Sequence, residues 1–297
     1  MLITSASLAA LNTGINAAFQ AGWDGAPSHW STVAMTVTSS SGSETYPWLK
    51  DIPGIREWIG ERIIHNLEAA DYAIKNRRFE QTIGVIRDDI EDDRIGLYAP
   101  LFGEMGRASR QHPDVLVFGL LKGGFAARCY DGQYYFDTDH PVEQPDGSTA
   151  AVSNMQAGSG PAWYLLDLSR VIKPIIYQQR RPLALTRMDA LTDEVLFSQG
   201  KIRYGVDGRC NVGFSFWQLA YASKAPLTHD NYAAARAAMQ GLKRADGTPL
   251  GITPTHLVAP PALEANGRQV VINQTKANGE TNEWAGTAQL LATPWLA

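Results

Sequence analysis

The stretch Asn76–Tyr98, NRRFEQTIGVIRDDIEDDRIGLY, decides how the rest of the chain is read. It begins on Arg77 and Arg78, with Lys75 just ahead, and ends on the carboxylates Asp88, Asp89, Glu91, Asp92 and Asp93. Between these charged ends Phe79, Ile83 and Val85 fall on one parity, the period of a strand with one buried face. Upstream, Tyr72 and Ile74 alternate with Ala73 and Lys75 in the same way. The two halves of Ile63–Ile90 therefore read as the arms of a long hairpin, its turn and basic tip near Lys75–Arg78. Such a hairpin is marginal in water and wants a partner surface. The acidic run has the ligand type of a calcium or magnesium site but lacks the glycine turn and spacing of a calcium loop. A solvated strand-to-helix junction is the better reading.

Composition narrows the classes. The chain has 297 residues, 44% hydrophobic and 19% charged, with a formal net charge of -4, so no basic surface for coating nucleic acid is indicated. At this length roughly three quarters of the extended surface is buried on folding, enough for a sizeable core. Cys129 and Cys210 are the only cysteines; they lack a CxxC partner, which argues against a structural zinc site and for buried thiols in a reducing compartment. The N-terminus lacks the basic and continuously apolar regions of a signal peptide, and no run of eighteen apolar residues occurs.

Periodicity predicts a helix over Ser5–Gly22, extended chain over Trp30–Trp48 and a flexible segment at Ser39–Glu44. A weak helix is conceivable over Gly54–Gly60. Leu97, Leu101, Met105 and Ala108 mark a longer helix that resumes after a break at Pro113 and stops at Gly123–Gly124. Ala127–Val142 reads as a hairpin turning at Asp131–Gly132, and Gln144–Gly160 as a loop. Strands follow over Trp163–Leu168, Ile172–Gln179, Lys201–Val206, Arg209–Ala222, His256–Ala259 and Thr287–Leu296. Helices fall at Thr228–Leu242 and Pro261–Gln269, giving an α+β protein with long extensions.

No G-x-S-x-G, HExxH, Walker loop or GxGxxG occurs, and His29, His65, His112, His229 and His256 stand singly. An enzyme reading rests on FDTDHP, where Asp137, Asp139 and His140 offer a carboxylate–imidazole pair for a hydrolase. Strand alternation weakens it, because His140 points away from the two carboxylates. No catalytic, metal or cofactor site is predicted.

Longer stretches carry a resemblance. REWIGERIIHNLEAADYAIKNRRFEQTIGVIRDDIEDD (56–93), GLYAPLFGEMGRASRQHPDVLVFGLL (96–121) and CYDGQYYFDTDHP (129–141) are similar to the Mu-like bacteriophage major head subunit family. WYLLDLSRVIKPIIYQQR (163–180), RYGVDGRCNVGFSFWQLAYAS (203–223) and the segment 227–264 continue the likeness over nearly the whole chain. The resemblance implies an α+β, HK97-like capsid fold with an N-terminal arm, an extended E-loop hairpin, a peripheral domain with a long spine helix, and an axial domain. On the sequence these correspond to residues 1–50 (arm), 51–93 (E-loop region), 94–160 (peripheral domain with spine helix) and 161–297 (axial domain plus returning peripheral strands).

It further implies a non-enzymatic major capsid protein of a tailed phage or prophage, self-assembling as hexamers and pentamers into an icosahedral shell. That shell encloses double-stranded DNA without sequence-specific contact. The implied partners are copies of itself, a portal, a scaffold or protease encoded separately, and decoration proteins; none is a membrane. The implied location is the virion, after assembly in the bacterial host's cytoplasm. A tail or decoration protein is the alternative virion component. Lys75, Arg77 and Arg78 are the candidate inter-subunit contacts on one side, with Asp88, Asp89, Asp92 and Asp93 opposite them on a neighbour. The arm, the hairpin and Gln144–Gly160 are the segments expected to differ between positions in the shell.

Overall fold

A computed structural model describes residues 5–50, 72–92, 95–190 and 192–297. In chain order the helices are α1 (Ser5–Gly25), α2 (Trp30–Val33), α3 (Arg87–Glu91), α4 (Ala99–Lys122), α5 (Glu194–Gln199), α6 (His229–Gln240) and α7 (Glu264–Val271). The strands are β1 (Ala34–Thr38), β2 (Ser43–Thr45), β3 (Ala73–Lys75), β4 (Arg77–Ile86), β5 (His140–Glu143), β6 (Thr149–Val152) and β7 (Met155–Gln156). They continue with β8 (Trp163–Leu166), β9 (Ile175–Met188), β10 (Lys201–Phe214), β11 (Ala220–Ser223), β12 (His256–Ala259) and β13 (Gln289–Ala292). Short 3-10 turns fill several of the joints.

Two main sheets organise the molecule. One has the order β1-β9-β10-β4 and the other β13-β12-β8-β11-β7, with two-stranded pairs β2-β3 and β5-β6 beside them. The five-stranded sheet is buried on both faces, and the sequence explains how. In β8, Trp163 and Leu165 pack towards α6 and α7, while Tyr164 and Leu166 pack towards the C-terminal half of α4. The strand is apolar throughout because each parity serves a different core. A third core lies where Leu8, Leu11, Ile15 and Phe19 of α1 meet Phe102 and Met105 of α4 over Val85, Ile202 and Tyr204.

The long helix is one element, contrary to the expected break: α4 runs 24 residues through Pro113, which is itself buried. Proline removes one backbone hydrogen bond and costs a helix interior about 3 kcal/mol. Phe102, Met105, Val117, Phe118 and Leu121 are buried on both sides of it, at roughly 1.5–3 kcal/mol each. Packing outweighs the local penalty.

β9 runs on past the expected end at Gln179, and β10 joins the expected strand Lys201–Val206 to the first part of Arg209–Ala222; each is a 14-residue strand. Arg209 pairs with Arg181 and Asp207 with Ala184, leaving Pro182 and Leu183 opposite Gly208 alone. This two-against-one bulge absorbs the residue that cannot donate to the ladder. The segment 144–160, expected as a loop, contributes β6 to a hairpin with β5 and β7 to the edge of the five-stranded sheet. The hairpin expected over Ala127–Val142 is reduced to a single bridge, Arg128 with Tyr134.

Candidate assembly surfaces

The hairpin expected to turn at Lys75–Arg78 does not form. β3 pairs antiparallel with β2, Ser43 opposite Lys75 and Thr45 opposite Ala73. β4 instead pairs with β10, from Arg77 opposite Cys210 to Ile86 opposite Lys201. The reason is Asn76 between the two strands, only 7% exposed. Its Nδ2 donates to Ser39 Oγ (2.7 Å) and the Ser41 carbonyl (2.9 Å), and its Oδ1 accepts from Gln178 Nε2 (2.9 Å). Gln178, fully buried, also accepts from the Tyr46 hydroxyl at 2.7 Å. A saturated polar junction thus replaces the solvent-facing turn, and the chain passes from one sheet to another there. Residues 51–71, including the strand expected from Ile63 and the helix over Gly54–Gly60, lie outside the described residues.

Lys75, Arg77 and Arg78 are exposed around this junction, with the Arg77 guanidinium 5.4 Å from the Phe79 ring centroid. At the other end of β4, Asp88 and Asp89 lie in the first turn of α3, where negative charge suits the helix dipole. Arg87 pairs with Glu91 at 2.9 Å, and the Tyr98 hydroxyl donates to Asp89 at 2.5 Å. Asp92 caps the helix, and Asp93 lies outside the described residues. A strand advances about 3.3 Å per residue, so the basic and acidic ends of β4 stand roughly 30 Å apart. Within one subunit they do not meet.

The hydrolase constellation is not assembled. His140 is fully buried, its ring stacked on Trp217 with centroids 4.1 Å apart. Its nitrogens face Asp131 (2.6 Å) and Asn154 (3.2 Å) rather than Asp137 or Asp139. The Asp137 carboxylate accepts from the backbone N–H groups of Thr138 and Tyr134, and Asp139 is exposed. The sequence marks Asp131 only as a turn residue. Burial raises its carboxyl, but hydrogen bonds from His140 and Cys129 outweigh that and hold it below the usual carboxylate range. No spacing rule would have joined Cys129 and Asp131 to His140 across an irregular turn.

Large apolar side chains remain in solvent. Val171 before β9 is 93% exposed, Phe197 on α5 is 92% exposed, and Leu97 ahead of α4 is 76% exposed. Phe197 sits at the far end of the β9–β10 hairpin, next to Leu196, which is buried under it. Val171, Phe197 and Leu97 are the three most exposed large apolar side chains among the described residues.

A long spine helix braced by an N-terminal helix and set against two sheets is an HK97-like α+β fold, and comparison with known proteins specifies which kind. The Mu-like prophage major head subunit gpT model matches residues 8–296. The major capsid protein of Escherichia phage Mu is 42% identical over 305 aligned positions, covering 100% of both chains. The procapsid subunit of bacteriophage JBD30 superposes with a TM-score of 0.86 at 47% identity, covering 99% of this chain and 100% of that one. The subunit of the JBD30 capsid decorated with minor capsid protein trimers gives 0.77 at 34% identity, covering 92% of each chain. The chain belongs to the Mu-like prophage major head subunit gpT family. It is a major capsid protein, a structural component of the virion and not an enzyme.

Proposed function

We propose that this capsid subunit closes as hexamers and pentamers into an icosahedral shell around double-stranded DNA, assembled in the cytoplasm of the bacterial host. The observation that carries this is the match, over essentially the full chain, to a subunit of a JBD30 procapsid. A formal net charge of -4 suits a container whose wall does not hold DNA by phosphate contacts. Portal and scaffold or protease are the further partners. Trimers of a minor protein on the JBD30 capsid support decoration here too.

In this reading the peripheral domain comprises α4 with the β1-β9-β10-β4 sheet, and the axial domain the five-stranded sheet with α6 and α7. β4, paired with β10 and not with β3, and α3 after it belong to the body of the subunit. Lys75, Arg77 and Arg78 of one subunit lie over Asp88, Asp89, Asp92 and Asp93 of the next. Surface pairs are worth about 0–1 kcal/mol each, so they set register while apolar burial supplies strength.

Negative-stain electron microscopy of the protein, alone and co-expressed with its neighbouring phage proteins, tests the assembly. Closed shells or rings of five and six subunits are expected. A monodisperse monomer under every condition would overturn it.

A further inference from the structure

One chemically competent cluster lies away from the assembly surfaces. Cys129 and Asp131 sit on the turn after the spine helix, and His140 opens β5. A sulfur, a carboxylate oxygen and a ring nitrogen from the three lie within 4.8 Å of one another. Cys129 Sγ stands 3.1 Å from Asp131 Oδ1, and His140 Nδ1 stands 2.6 Å from Asp131 Oδ2. The turn is held by backbone bonds from Cys129 to the Gln133 carbonyl (2.9 Å) and from Gly132 to the Cys129 carbonyl (3.1 Å). The Gln133 N–H also donates to Asp131 Oδ1 at 3.0 Å.

The far side of the histidine defines its hydrogen positions. Asn154 Nδ2 donates to the Tyr135 carbonyl (2.8 Å), while its Oδ1 accepts from the Asp137 N–H (2.9 Å). The amide orientation is therefore set by the backbone, and His140 Nε2 must carry the hydrogen it gives to Oδ1 at 3.2 Å. In the neutral ring this turns the Nδ1 lone pair onto the Asp131 carboxylate. Two lone pairs at 2.6 Å repel unless a cation lies between them. A proton meets that need, and so does a metal ion that also draws in the sulfur. Metal-bound histidines are oriented in this way, the remote N–H given to a fixed oxygen.

The geometry points to Cys129, Asp131 and His140 as a zinc site with three protein ligands and a fourth position for water. A thiolate with an imidazole and a carboxylate suits zinc, whereas calcium and magnesium take oxygen. Bond lengths of about 2.0–2.3 Å separate tetrahedral ligands by roughly 3.3–3.8 Å, so Asp131 must withdraw from His140, and the ligand atoms, now spread over as much as 4.8 Å, must close on the ion, each by about 1 Å. The Asp131 side chain keeps 11% of its exposure, which gives it that freedom and gives the ion a way in. The thiol proton and the proton shared by Asp131 and His140 leave as zinc enters. Thiolate, carboxylate and neutral imidazole then balance the 2+ ion. The bound ion would lock the turn after the spine helix onto β5, beside Trp217.

The full-length protein, stripped with EDTA and titrated with cobalt(II), tests this. The expected result is one ion per chain with a thiolate-to-cobalt charge-transfer band, displaced by zinc, and a zinc-dependent rise in thermal midpoint. Cys129→Ser keeps a hydroxyl to donate to Asp131; it should abolish the band and weaken zinc binding by more than the roughly ten- to hundredfold that losing an outer-shell partner costs. Cys210→Ser should retain both. No band in the unmodified protein, a band lost in Cys210→Ser, or an equal zinc effect in Cys129→Ser, meaning an adventitious surface ion only, would each overturn the site.

Discussion

Asp114 shows how one side chain can hold two elements together. It is fully buried one residue after Pro113, and it accepts from Ser28 Oγ (2.5 Å) and the backbone N–H groups of His29 and Trp30 (2.7 and 2.8 Å). The spine helix thus caps α2, whose own N-cap residue offers no side-chain bond. Asp114→Ala strands these donors and should cost about 2–4 kcal/mol in urea unfolding, with Asp114→Asn costing less. His112, next to Pro113, lies against Phe79 of β4 with ring centroids 4.2 Å apart, and its buried Nε2 has no hydrogen-bond partner among the described residues. Burial, and after it the charge of Arg77, lowers its pKa. A group depressed in the folded state contributes stability above its unfolded pKa, about 6.5, and loses it as pH falls through the folded value. His112→Phe should therefore flatten part of the decline in thermal midpoint below about pH 6.5; an unchanged slope would exclude His112 as a source.

At the scale of elements, the crossing of α1 over α4 depends on glycine. A Cβ built on Gly106 falls on the Phe19 carbonyl, and one on Gly22 falls on the Gly103 carbonyl, so the backbones meet with nothing between them. Gly106→Ala should destabilise this contact by about 1–3 kcal/mol, the usual cost of overpacking. Limited proteolysis should then cut within α1 while the two-sheet body resists. The reach of β4 has a different consequence. Its basic and acidic ends stand roughly 30 Å apart, so a charge reversal at one end leaves the other's local contacts intact. Arg77→Glu with Arg78→Glu should keep the circular dichroism of the folded subunit and reduce shell yield; normal shells would remove these residues from the register.

For the whole molecule the informative side chains are those that folding leaves out. Phe197→Ser changes a residue that is 92% exposed, so the subunit's unfolding free energy should stay within about 0.5 kcal/mol. Shells counted by electron microscopy should nevertheless fall sharply, because the apolar surface at the end of the β9–β10 hairpin is lost. If shell yield is unchanged, that tip is not a contact.

Much of this architecture was legible in the residues. The apolar spacing of Leu8, Leu11, Ile15 and Phe19 and the alternation of Ile83 and Val85 are written locally, since the period of a helix or strand is a property of the backbone. The family likeness was also visible in the chain, spread over long stretches without any single decisive motif. What the sequence could not decide is which elements pair and which breakers are tolerated. Pro113 stays inside α4 because burial on either side outweighs a local penalty, and Pro182 stays inside β9 because a bulge spares it a ladder hydrogen bond. β3 and β4 look like two arms of one hairpin, yet Asn76 is drawn into a buried junction by Ser39 and Gln178, partners 37 and 102 residues away. The same holds for Cys129, Asp131 and His140, whose meeting depends on an irregular turn and on Asn154. Local periodicity is encoded residue by residue, whereas partnership between strands and between polar groups is settled by the global minimum of burial and hydrogen bonding, which only the tertiary structure expresses.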